Sequence, residues 1–193
     1  MKWKKEREEI VKYTKQIYKK GFVTAHSGNI SLRVGDKLIL ITPSSKSYEK
    51  LKSSDIVEIN FKGNIIDGHK MPSSEYKLHV EIYKSRKDVN AVIHTHSIFA
   101  CTMAALNLSL PVILDEQKEF LGGEISVANY APSGTDDLAI ESVKALADKK
   151  AVFLSKHGAV TVGQNINEAF YTSALLEKLC QIYLFIVLTQ KQI

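Results

Sequence analysis

Only two cysteines occur in the chain, Cys101 and Cys180, far apart and each in apolar surroundings. They exclude a disulfide framework and read as two buried thiols. Prolines number 4 and glycines 10, and neither a Pro/Gly/Ser-rich linker nor an internal repeat divides the sequence. Residues 1–193 therefore read as a single domain, long enough for a sizeable core. Neither G-x-G-x-x-G nor G-x-x-x-x-G-K-[ST] is present, so any phosphate site must use other backbone groups. Helix-turn-helix, RNP-like and zinc-finger spacings are absent too, and the net charge of +5 has no nucleic-acid module to go with it. Much of the excess lies in "MKWKKEREEIVKYTKQIYKKG", where lysines alternate with glutamates as on a solvated helix face. No apolar segment follows the N-terminal charges as a secretory signal would require. The apolar run "LCQIYLFIVL" is shorter than the about 20 residues that span a bilayer. The expectation is a cytoplasmic protein without a membrane or nucleic-acid partner.

The hydrophobic pattern supplies the elements. An amphipathic helix covers roughly residues 5 to 20, with Ile10, Val11, Thr14, Ile17 and Tyr18 on one face and Gly21 as its stop. "NISLRVGDKLILIT" reads as two strands around a Gly-Asp turn, and "DIVEINFKGNIID" as a second hairpin. "MPSSEYKLHVEIYKSR" opens a helix with Ser73 or Ser74 as N-cap. "NAVIHTH" is a buried strand, "SIFACTMAALN" a short helix, and "EISVANYA" extended. "SGTDDLAIESVKALADKK" is a helix with acidic residues at its positive end. "AVFLSKHGAVTVG" gives two short strands, and "INEAFYTSALLEKLCQIYLFIVL" a closing helix. Hairpins and single strands between helices predict an α/β fold, a three-layer α/β/α domain around a mainly antiparallel sheet.

Chemistry gathers at strand ends. His94 and His96 stand two apart in "AVIHTH", so on a strand both rings face one side. His157 ends a second apolar strand and is followed by Gly158. If those strands are neighbours, three imidazoles make the protein half of an open zinc site. Ser73, Ser74 and Glu75 open a helix, as an ordinary cap or as an anion site with a carboxylate beside a metal. His69 reads as an exposed loop residue and His79 as an amphipathic surface residue.

Taken together, "HSGNISLR", "ITPSSKSYEKL", "PSSEYKLHVEIYKSRKDVNAVIHTHS", "APSGTDDLA" and "SKHGAVTVGQNINEA" resemble the class II aldolase/adducin family almost end to end. The pattern is most similar to that of L-fuculose-1-phosphate aldolases. The resemblance implies one Zn2+ per subunit, with Mn2+ or Co2+ as alternatives, held by His94, His96 and His157 with Glu75 as fourth ligand and acid/base. It implies a substrate-phosphate pocket from Gly28, Asn29, Ser44, Ser45, Ser73 and Ser74. It implies a ketose phosphate cleaved to dihydroxyacetone phosphate and a short aldehyde through a metal-stabilised enediolate, in a homotetramer with sites between subunits. Two departures stand out. Ser44-Ser45 replaces the usual Thr-Gly, and the segment after Pro111 lacks the tyrosine that serves the aldehyde as proton donor. Asp115, Glu116 and Glu119 stand there instead, within what reads as an acidic loop, with Glu119 the candidate proton donor. A carboxylate there also suits a ribulose-5-phosphate-type epimerase or a methylthioribulose-1-phosphate-type dehydratase. His26 precedes the Gly28-Asn29 pair and could contact phosphate or cover the loop. A non-enzymatic adducin-like scaffold would be expected to lose the metal ligands that this chain keeps.

Overall fold

A computed structural model describes residues 2–190. Eight strands form one sheet: β1 (Asn29–Gly35), β2 (Leu38–Ile41), β3 (Val57–Asn60), β4 (Ile65–Asp67), β5 (Ala91–Thr95), β6 (Val127–Ala128), β7 (Ala151–Leu154) and β8 (Gly158–Gly163). Their order is β4-β3-β2-β1-β5-β8-β7-β6. Neighbours run antiparallel except β6 and β7, which are parallel. The helices are α1 (Lys4–Lys19), α2 (Tyr76–Ser85), α3 (Ile98–Leu106), α4 (Asp115–Leu121), α5 (Asp136–Leu146) and α6 (Ile166–Gln190).

Strand alternation sorts the core into layers. Val92, Val160 and Val162 point to one face, where they meet Leu78 and Ile82 of α2 and Leu138 and Leu146 of α5. Ala91 and Ile93, one residue out of phase, point to the opposite face with Ile10 and Ile17 of α1 and Ala169 of α6. Helices α3 and α6 continue that second layer over Phe153 and Ala159. The α/β/α expectation holds.

Local departures have physical reasons. Helix α2 begins at Tyr76 with Glu75 in the N-cap position, not Ser73 or Ser74. Ser73 is held extended, its N–H donating to the Thr42 carbonyl, and its hydroxyl accepts from the Glu75 N–H at 3.3 Å. The segment expected to be an acidic loop contains α4, which turns Gln117 and Leu121 inward. The basic N-terminal helix is not solvated all round: Arg7 is buried, donating to the Ile56 carbonyl and to Asp67 at 2.6 Å. Cys180 is buried, but Cys101 only half so, its thiol pushed up to about 11 by burial. The apolar C-terminal run belongs to α6, which by length and composition is apolar enough to cross a membrane. Leu175, Leu176, Leu179 and Cys180 nonetheless pack against the sheet as a core helix does.

Candidate metal centre

Sheet register assembles the site. Asn29 of β1 lies opposite His94 of β5, and Thr95 opposite Ala159 of β8. The end of β5 therefore meets the starts of both neighbours, bringing His94 and His96 beside the β7–β8 turn that carries His157. The three ring centroids are 4.7 to 5.0 Å apart. Two glycines permit this. A Cβ on Gly158 would collide with the Thr95 carbonyl oxygen and sit 3.1 Å from the His96 ring. Gly28 has φ +73°, and a Cβ there would lie 2.6 Å from the His94 carbonyl oxygen.

The donor set fits a metal. His94 is fully buried and its Nδ1–H donates to the Ala159 carbonyl at 2.9 Å, leaving the Nε2 lone pair free. That Nε2 is 2.9 Å from His96 Nε2 and 3.2 Å from Glu75 Oε2. His157 Nε2 is 3.4 Å from Glu75 Oε1, while its buried Nδ1 has no partner among the described residues. Two imidazole nitrogens that face each other need a shared proton or cation, and the ligand atoms of the three histidines all lie within 4.8 Å of one another. Burial and the neighbouring His94 push His96 and His157 down to about 4, so both rings are neutral at pH 7, the form in which an imidazole can bind a metal. Burial opposes charge on Glu75, but the His94 and His157 rings and the Ser133 hydroxyl hold it well below the usual carboxylate range. His94 moves the other way: burial lowers it, yet the Glu75 carboxylate prevails and raises it.

Glu75 is oriented at both oxygens. Asn29 donates from Nδ2 to Oε2 at 2.9 Å, and Ser133 from Oγ to Oε1 at 2.9 Å. Gly28, Asn29, Ser44, Ser45, Ser73, Ser74, Glu75, His96 and His157 line one cavity of about 260 Å³, together with His26 and Ser133. Paired loops create it: Pro43 bridges Pro72, and the Ser44 N–H donates to the Met71 carbonyl, which sets the two serine pairs side by side. Tyr48 supports the floor, its hydroxyl reaching the Ser27 and Gly28 carbonyls.

One sequence reading does not carry over. His79 is not a surface residue; it is fully buried between α2 and β1, where Asn29 and Ser31 satisfy both ring nitrogens. Glu119 is exposed on α4, and none of Asp115, Glu116 and Glu119 lines the cavity of its own chain. Glu116 instead pairs with Lys178 at 2.6 Å. Ser133 was not singled out, because one serine in a "PSGT" turn reads as the approach to the Thr135 cap of α5.

A three-layer α/β/α domain with a histidine cluster and a carboxylate over a serine-lined cavity is the architecture of a metal-dependent sugar-phosphate lyase. The chain belongs to the Class II Aldolase and Adducin family, whose N-terminal domain pattern matches residues 8–184. It is 38% identical over 180 residues to a 5-deoxy-D-ribulose 1-phosphate aldolase of Bacillus thuringiensis serovar kurstaki, covering 93% of this chain and 84% of that one. It is 33% identical to an L-fuculose phosphate aldolase of Methanocaldococcus jannaschii, covering 96% and 99%. A solved L-fuculose 1-phosphate aldolase superposes with a TM-score of 0.92 at 33% identity, covering 96% of this chain and 88% of that one.

Proposed function

We propose that this enzyme, a class II aldolase, cleaves a phosphorylated ketose such as L-fuculose 1-phosphate to dihydroxyacetone phosphate and a short aldehyde, with zinc as its resident ion. The observation that carries the reading is the convergence of three imidazoles and the Glu75 carboxylate on one polar cavity. His94, His96 and His157 would hold the ion, with Glu75 as a further ligand when the cavity is empty. Zinc suits three imidazoles and a carboxylate, and manganese or cobalt are the alternatives. When bound, the ion supplies Lewis-acid polarisation of the ketose oxygens and so makes the adjacent C–H acidic.

The remaining work belongs to the protein. Gly28, Asn29, Ser44, Ser45, Ser73 and Ser74 would take the phosphate, since small hydroxyls and exposed N–H groups accept an anion without crowding. A phosphate anchored there leaves the carbon chain to run toward the histidines. Glu75, fixed at both oxygens, returns a proton to C3 of the dihydroxyacetone half during cleavage and removes it during condensation. Its neighbours Asn29 and Ser133 stop the carboxylate from rotating away from that carbon.

The aldehyde end is less fully built in one chain. We propose a homotetramer with sites between subunits, so that Glu119 serves the cavity of a neighbouring copy, taking the C4 hydroxyl proton as the C3–C4 bond breaks in cleavage and giving it to the aldehyde oxygen in condensation. Exposed Phe185 and Leu188 on the C-terminal half of α6, together with Leu106 at the end of α3, make an apolar face suited to subunit contact. A cytoplasmic setting fits two free cysteines. The 38% identity to the 5-deoxyribulose phosphate enzyme favours that ketose as a second substrate.

Incubation of the zinc-loaded protein with fuculose, rhamnulose, ribulose and 5-deoxyribulose phosphates, followed by NMR, tests the reading. Dihydroxyacetone phosphate and an aldehyde are expected from at least one 1-phosphate. Epimerised or dehydrated sugar in its place would move the protein to another reaction of the fold.

A further inference from the structure

A polar ladder runs away from the site between β1 and α2. Asn29 and Ser31 are two apart on β1 and face α2, while Glu75, His79 and Tyr83 are spaced by four on the facing side of that helix. Every rung is buried: Asn29 is 3% exposed, and Ser31, His79 and Tyr83 are 0% exposed. Ser31 Oγ is 2.6 Å from His79 Nδ1 and 2.8 Å from the Tyr83 hydroxyl. His79 Nε2 touches Asn29 Oδ1, and Asn29 Nδ2 is 2.9 Å from Glu75 Oε2.

The donors and acceptors admit one consistent direction. A carboxylate only accepts, so Asn29 must present its NH2 to Glu75. Its oxygen then faces His79, which must carry its proton on Nε2 to donate there. His79 Nδ1 is thereby an acceptor, satisfied by the Ser31 hydroxyl, and Ser31 accepts in turn from Tyr83. With the opposite tautomer, Asn29 would turn its oxygen toward the Glu75 carboxylate, a repulsive and desolvated contact.

We propose that His79 is a positioning residue: its Nε2–H fixes the Asn29 amide, which in turn fixes the Glu75 carboxylate for proton transfer. The inference rests on Glu75 being the acid/base of the proposed aldolase. His79 is neither among the proposed ligands nor in the cavity lining, so its effect belongs in turnover and not in phosphate binding. Gln offers an N–H and a carbonyl on a side chain of similar reach, whereas Leu fills much of the space without either.

The test compares zinc-loaded wild type, His79→Gln and His79→Leu in ketose-phosphate cleavage, with metal content measured on each. For Leu, kcat should fall about 100-fold with KM and zinc stoichiometry within about twofold of wild type, and Gln should recover at least tenfold of that loss. Equal defects in both variants, an intact Leu variant, or a defect explained by lost zinc would overturn the proposal. Nitrogen-15 NMR of the histidine rings in the wild-type holoprotein gives an arm independent of activity and of how the variants fold. The proton should reside on Nε2 of His79, and a proton on Nδ1 would overturn the assignment. If wild type cleaves no ketose phosphate, the functional reading fails, and the tautomer still decides the positioning claim.

Discussion

Glu75 is held at both oxygens, by the Asn29 amide on one and by the Ser133 hydroxyl on the other. A group so fixed is prepared for proton transfer at one carbon. Replacing Glu75 with Gln should lower kcat by about 10³-fold while leaving the fold intact. A loss of less than tenfold in steady-state cleavage would remove Glu75 from the chemistry. The buried His79 makes a separate prediction about pH. Burial and the neighbouring His94 depress it to about 3, so the ring is neutral when folded and takes a proton when unfolded below about 6.5. Its contribution to stability is therefore complete above pH 6.5 and is lost progressively as pH falls toward 3. Urea unfolding at pH 7 and 4.5 should show wild type losing more stability than His79→Gln, and equal losses would contradict this. The sequence exposed the three histidines, the serines and Glu75, because strand-end pairs and helix-opening serines carry local signals. It hid His79, whose partners lie on β1; a helix viewed alone cannot tell which polar residue turns inward.

The elements around the site are tied by contacts that pass between distant parts of the chain. Helix α3 follows His96 directly, yet Ser97 does not cap it with its own side chain. Glu177 from α6 does so instead, accepting from Ser97 Oγ at 2.6 Å and from the Phe99 and Ala100 N–H groups at 2.9 Å. Glu177→Ala should cost about 2 kcal/mol in urea denaturation, as expected for a charged acceptor of several bonds. It should also weaken binding of the proposed metal, since the turn carrying His96 loosens. A cost under about 0.5 kcal/mol would show that water replaces the cap. Hairpins and long helices were legible because their periodicity extends over many residues. Helix α4 was not: seven residues, "DEQKEFL", are too few for a hydrophobic period to stand out from an acidic loop.

At the scale of the molecule, an antiparallel sheet brings the end of β5 against the starts of β1 and β8, and covering helices from both layers close the site. The fold class was legible from the sequence of hairpins, single strands and helices. The strand order was not, because only the assembled sheet places β8 beside β5, 65 residues away at the His94–Ala159 contact. The proposed tetramer predicts a mass near four times the 21.6 kDa chain in sedimentation, and a monomer would leave Glu119 without a cavity to serve. The central claim is that this metal centre and Glu75 together move a proton at C3 of dihydroxyacetone phosphate. Deuterium exchange at that carbon, followed by NMR in D2O, tests it most directly. The zinc-loaded wild type should exchange one of the two C3 hydrogens, and the chelated protein and Glu75→Gln neither. Exchange that survives in Glu75→Gln, or that fails in the loaded wild type, would contradict the account.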